Sequence, residues 1–287
     1  MRPDIRYPAV AESFYPSDSA ELEKTVLKLL DDAPVPPAAV GNRKIRGIMV
    51  PHAGYSFSGK VAASAYKLLR GKSFDTVYLL GNAHAYVFAG VALDGHAIWQ
   101  TPLGQVPLNT TAVKRLRNRA PDLANVLNIA HHSDHILEVH IPFLQYTLKP
   151  GFRILPLLFG ENPPNIYRKA AELLKETLGP EDLLIASTDL SHYPSYDDAC
   201  GIDRKTLEHI IAMDIEGLDK HVRKTMKRNI PHEDALFCGP DGLKTVLEIA
   251  GRSGWKSRKL LYSNSGDSMY HDRDAVVGYG AVAFFEK

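Results

Sequence analysis

The chain has only two cysteines in 287 residues, Cys200 and Cys238, so no disulfide framework can staple it. That scarcity makes a reducing, cytoplasmic setting the expectation. A surplus of either charge is also missing: 34 Lys and Arg face 33 Asp and Glu, a formal net charge of +1. General nucleic-acid binding is therefore not expected, because phosphates need a basic surplus to neutralise them. No apolar run approaches the ~20 residues of a membrane helix. The longest are Ile154–Phe159 and the glycine-broken Val276–Phe285. The opening Met-Arg-Pro-Asp-Ile-Arg-Tyr-Pro carries no apolar core of the kind a secretion signal needs. Internal repeats, low-complexity tracts and long charge runs are absent too. What remains is an ordinary globular composition, 45% hydrophobic and 23% charged.

Apolar periodicity alternates between strands and helices. Strands are expected at Lys44–Val50, Thr76–Gly81, Arg153–Phe159, Leu183–Ser187, Leu260–Ser263 and Val276–Phe285. Val87–Leu93 and the segment through Trp99 read as extra strands or a hairpin. Helices are expected at Asp18–Leu30 (capped by Ser17 or Asp18), Phe57–Leu69, Asn109–Arg119, His135–Leu148, Pro164–Leu178, Tyr196–Met213, Ile215–Met226 and Pro240–Ala250. The pattern indicates an α/β layered fold with a mostly parallel central sheet, and the absence of a long linker favours one domain over 1–287. The proline-rich Ala33–Ala39 reads as a surface connector, since too little chain precedes it to build a core of its own.

The informative feature is where the 12 histidines fall. His52, His84 and His192 each follow a different expected strand within a few residues. Parallel strands deliver such residues to one sheet edge, where open α/β sheets bind ligands. Neutral imidazole is the commonest protein metal ligand and also an acid or base near neutral pH. Cys238 stands just before the helix expected from Pro240, and a thiol near a helix N-terminus is expected to ionise more easily. Asp189, three residues before His192, can orient an imidazole or simply cap a turn. In His131-His-Ser-Asp-His135, the first two histidines read as solvated loop residues. His135 opens an amphipathic segment, with Glu138 one turn on. Cys200 reads as packing. Gly54-Tyr-Ser-Phe-Ser-Gly-Lys60 fits most of a phosphate-binding loop, but Val61 stands where Ser or Thr must hold magnesium, so nucleotide hydrolysis is not expected.

Taken together, these blocks resemble a known family. Tyr7-Pro-Ala-Val-Ala-Glu-Ser-Phe-Tyr-Pro16, Val50-Pro-His-Ala-Gly-Tyr-Ser-Phe-Ser-Gly59, Thr101-Pro-Leu-Gly and His135-Ile-Leu-Glu-Val-His-Ile-Pro-Phe-Leu-Gln145 are part of the pattern. Ser187-Thr-Asp-Leu-Ser-His192, Cys238-Gly-Pro and Val276-Val-Gly-Tyr-Gly280 complete it. The chain resembles the Memo-like proteins, relatives of the class III extradiol ring-cleaving dioxygenases. The resemblance implies a single three-layer α/β/α domain, extradiol-dioxygenase-like in fold, with a cleft at the strand ends. It places metal-site positions at His52, His84 and Cys238, with His192 and His135 as further cleft histidines. In the related dioxygenases two histidines and a glutamate hold ferrous iron; here Cys238 stands in the carboxylate's place. Two local departures are Gly81-Asn-Ala-His84, which lacks the family's usual proline, and Ile136, where a serine is usual.

Three functions stay open on this reading. The first is a metal-dependent oxidoreductase or metal-handling protein, with iron or copper(I), or zinc, on His52, His84 and Cys238. His192 is then the acid/base, oriented by Asp189, with His135 nearby and a small molecule in the cleft. The second is a scaffold that binds phosphorylated peptides or anions through the same cleft. The third is a hydrolase with Cys238 as nucleophile and His192 or His232 as base.

Overall fold

The structure, a computed structural model, describes residues 4–34, 40 and 43–287. Most of the connector expected at Ala33–Ala39 lies outside the described residues. The strands are β1 (Ile5–Arg6), β2 (Ile45–Val50), β3 (Thr76–Asn82), β4 (Val91–Leu93), β5 (Ile98–Thr101), β6 (Gly104–Pro107), β7 (Ala124–Val126), β8 (Arg153–Phe159), β9 (Leu183–Ser187), β10 (Lys256–Asn264) and β11 (Gly278–Phe285). The α-helices are α1 (Ser19–Asp32), α2 (Tyr55–Tyr66), α3 (Thr110–Arg119), α4 (Asn128–His132), α5 (Ile141–Thr147), α6 (Ile166–Lys175), α7 (Tyr196–Ala212), α8 (Ile215–Met226) and α9 (Pro240–Arg252).

Eight strands form one sheet in the order β10-β11-β2-β9-β3-β8-β4-β7. Its centre, β2-β9-β3-β8, is parallel throughout. Antiparallel pairs flank it, β2 with β11 and β8 with β4. Side-chain alternation feeds both faces, as period 2 requires. Val77 and Leu79 of β3 enter one core, while Tyr78 and Leu80 enter the other. The first core takes in α1, α2 and α5; the second takes in α3 and α6–α9. The result is the expected three-layer α/β/α arrangement. Val87–Leu93 and the segment through Trp99 give extra strands rather than a hairpin with each other: β4 joins the main sheet, while β5 pairs with β1 and β6 in a separate three-stranded sheet.

Helix starts follow the capping rule. Asp18, Asn109, Ser195 and Asp214 each accept the N–H three residues on, satisfying a donor that the helix leaves orphaned. One expectation fails: His135–Leu148 is not a continuous helix. Residues 133–137 are irregular, Glu138–His140 is one 3-10 turn, and α5 begins only at Ile141. Pro142 sits in the first turn of α5, where its missing N–H costs nothing. The phosphate-loop lookalike is also absent, because α2 begins at Tyr55 and absorbs that segment. No helix among the described residues is long and apolar enough to cross a membrane.

α9 lies unusually close to β3. A Cβ at Gly242 would stand 3.0 Å from backbone atoms of Leu80 and Gly81. Gly242→Val therefore lowers stability by about 1–3 kcal/mol, as overpacking does. Urea or thermal unfolding checks this; a variant as stable as wild type would mean that α9 lifts off the sheet without cost.

Candidate metal centre

β2, β9 and β3 are adjacent and parallel, so their carboxyl ends share one edge. His52 follows β2 by two residues, Asp189 follows β9 by two, and His84 follows β3 by two. Cys238 arrives from the opposite direction, two residues before α9. The side-chain donor atoms of His52, His84 and Cys238 all lie within 4.8 Å of one another. His52 Nε2 is 3.2 Å from Cys238 Sγ. That matches the ~3.5 Å edge of a tetrahedral site with ordinary metal–nitrogen and metal–sulfur bonds. The imidazole of His135 stands beside them, its centroid 5.6 Å from His52 and 5.7 Å from His84. Phe14 backs it at 4.5 Å.

Hydrogen-bond counting fixes which nitrogen each ring offers. His84 Nδ1 is 2.7 Å from the Asn82 carbonyl, and His192 Nδ1 is 2.7 Å from the Leu190 carbonyl. A carbonyl only accepts, so both Nδ1 atoms carry a proton, and in the neutral ring Nε2 is then the nitrogen with the lone pair. His52 Nδ1 meets the hydroxyl of Ser187 at 2.8 Å. Burial, then the neighbouring His84, His135, His140 and His192, hold the His52 ring well below its ordinary pKa. Burial also lowers His135 and His192. These three rings are therefore neutral at pH 7.

Cys238 departs from its expectation. Burial pushes its thiol up, and the nearby Asp189 pushes the same way. The N-terminus of α9 does not compensate: its first residue is Pro240, which has no N–H to offer. The sulfur instead accepts the Asp189 N–H at 3.2 Å. Asp189 itself does not orient His192. Its Oδ1 accepts the His52 N–H at 2.8 Å, its Oδ2 is 4.0 Å from His52 Nε2, and burial pushes its carboxyl up to about 7. His192 is held by backbone alone, between Leu190 and Ala235. His232 is exposed.

The 131–140 segment supplies the other wall. Asp134 Oδ2 accepts the N–H groups of His84 and Ala85, at 2.7 and 3.2 Å. Its Oδ1 accepts the Ile136 N–H at 3.0 Å. Glu138 faces away from the cleft. It pairs with Arg6 at 2.6 Å and also accepts from Ala9, Val10 and the Tyr15 hydroxyl. Arg6 donates further to the carbonyls of His131 and Asp134 and lies over the Trp99 ring. His131, expected in solvent, is buried in α4 with Nε2 on the Ala92 carbonyl; His132 is exposed as expected. Asp134 and His140 are the residues the sequence reading missed. The only local signal is an aspartate two residues before Ile136, the geometry of an Asx turn.

A cleft of about 720 Å³ opens from His84 and Cys238 toward Tyr167, Arg223 and Lys244. Lys244 is paired with Asp219 at 2.5 Å. One rim is the loop carrying Tyr86 and Val87. It is stitched to the loop after β8: Gly160 and Glu161 donate to the Gly90 and Phe88 carbonyls, and Gly90 donates to Asn162.

Two outcomes follow. Arg6→Met leaves the Glu138 carboxylate buried without its cation and costs about 3–5 kcal/mol of unfolding free energy. A loss under 1 kcal/mol in urea unfolding would contradict this. In an NMR titration, His96 takes its proton at higher pH than an ordinary imidazole, because its bond to Asp94 raises it. His131 takes its proton only at lower pH, because burial lowers it. The reverse order would refute both assignments.

Comparison with known proteins gives a consistent answer. The Memo-like protein family matches residues 6–283. A MEMO1 family protein of Ignicoccus hospitalis is 36% identical over 98% of both chains. One from Methanopyrus kandleri is 33% identical over 97% of this chain and 98% of its own. One from Desulfurococcus amylolyticus is 31% identical over 98% and 99%. With its strand-end histidines and Cys238 on one sheet edge, the chain belongs to the Memo-like family.

Proposed function

We propose that the cleft holds one metal ion through His52 Nε2, His84 Nε2 and the Cys238 sulfur, and that the protein is a metal-dependent oxidoreductase or metal-handling protein. The observation that carries this reading is the convergence of three donors with two rings already aimed by backbone or hydroxyl partners. The donor set fits a borderline-to-soft ion: thiolate with imidazole suits copper(I), iron or zinc better than magnesium or calcium. Iron or copper, when bound, supplies one-electron chemistry toward dioxygen or a small substrate. The chain's own residues do the rest. His192 presents a free Nε2 lone pair as acid or base. His135 and Phe14 close one wall. The open cleft beyond Cys238 admits a small molecule.

The scaffold reading is weaker on these observations. Anion capture by imidazoles needs them protonated, whereas burial keeps His52, His135 and His192 neutral at pH 7. The hydrolase reading has one feature in its favour, the 3.2 Å approach of Cys238 to His52. Its thiol, however, is held protonated by burial, the opposite of an activated nucleophile.

Anaerobic purification and reconstitution with iron, copper and zinc separate these readings. The expected result is one ion per chain by mass spectrometry in wild type, lost in His52→Ala and Cys238→Ser. Wild type that stays metal-free after reconstitution would overturn the proposal. A His192→Gln variant is expected to keep the ion. Loss of the ion there would make His192 a ligand rather than an acid or base.

A further inference from the structure

We infer that Ser187, backed by His140, is the positioning residue that fixes His52 as a metal ligand by dictating its tautomer; this rests on the metal reading above. Ser187 is the last residue of β9 and is fully buried. Its hydroxyl has three neighbours: the Ile136 carbonyl at 2.6 Å, His52 Nδ1 at 2.8 Å and His140 Nε2 at 2.9 Å. A hydroxyl has one proton to give and two lone pairs to receive. Two oxygens 2.6 Å apart need a proton between them, and a carbonyl has none. The Ser187 proton therefore lies toward Ile136.

Both imidazole contacts must then bring their own protons. His140 donates from Nε2 and His52 donates from Nδ1. No second arrangement satisfies all three contacts. The proton on His52 Nδ1 leaves Nε2 as a lone pair, aimed at Cys238. The tautomer with the proton on Nε2 would point a hydrogen into the donor cluster and could bind no metal there. A neutral histidine in water favours that other tautomer, so something must select against it. Ser187 does so: the Ile136 carbonyl holds its proton away from both rings, and His140 fills its other lone pair.

The same three contacts also set geometry. They tie β9 to the irregular 136–140 segment, which carries His135 one residue upstream. Ser187 thus links His52 just beyond β2, the turn holding His135 and the strand leading to Asp189. A purely structural pin would do this equally well with either His52 tautomer. The tautomer is therefore the readout that separates the two roles.

Long-range proton–nitrogen NMR on the metal-free wild-type protein reads it directly. The expected pattern is His52 protonated on Nδ1 and His140 on Nε2. His52 protonated on Nε2 would overturn the inference and needs no variant to show it. Cobalt(II), added alone as a probe, supplies the second arm. Ser187→Ala is expected to bind it about 10–100-fold more weakly, the usual cost of losing a ligand's hydrogen-bond partner. Its thiolate-to-cobalt absorption is expected to persist at saturation, because Cys238 is untouched. Equal affinity in Ser187→Ala would overturn the inference while leaving the metal reading intact. Wild type that binds neither cobalt nor any reconstituted metal would overturn the metal reading itself, whatever tautomer His52 shows.

Discussion

The buried ion pair between Arg6 and Glu138 joins the first strand of the chain to the segment that walls the cleft. Both side chains are almost fully enclosed, so neither charge can turn to water. Their desolvation is offset by hydrogen bonds from Ala9, Val10 and Tyr15 to the carboxylate, and from Arg6 to two carbonyls. Such a network is costly to break at any one point. It fixes the 131–140 segment, and that segment fixes Asp134, His135 and His140. Asp134 in turn holds the backbone of His84. One edge of the donor cluster therefore depends on an ion pair whose two members lie 132 positions apart in sequence.

The other edge is set by the sheet, and that part was legible from sequence. Strand-end positions follow from period-2 apolar runs, and parallel neighbours put strand ends together. His52 and His84 needed no more than that. Cys238 was legible because a helix visibly starts two residues later. The family resemblance pointed to the same three residues. What was not legible has a common cause. Glu138 looks like a surface residue on an amphipathic helix until Arg6 is placed against it. His131 looks solvated until Ala92 and Trp99 close over it. His140 is invisible until Ser187 lies beside it. Each depends on a partner that sequence spacing does not reveal. The assignment of Asp189 to His192 failed for the opposite reason. Nearness in sequence suggested a contact, but the turn after β9 sends the two side chains to different partners.

The cluster is strongly desolvated. Burial keeps His52, His135 and His192 neutral and the Cys238 thiol protonated. A charged ligand set would repel itself in such a space; a neutral one waits without strain. Cys238 suits this environment, since a buried thiol tolerates burial better than a buried carboxylate. Asp189 supplies a carboxyl group beside His52 and Cys238, and burial raises it to about 7.

The stitching of the Gly90 loop to the loop after β8 lies outside the donor cluster but bounds its entrance. A Cβ at Gly160 would sit 2.0 Å from the Phe88 carbonyl oxygen, so no other residue fits there without moving the rim. The width of the doorway and the identity of the donor residues are thus written in separate stretches of chain. A change in residues 85–90 or 160–165 can therefore reshape the entrance without touching His52, His84 or Cys238.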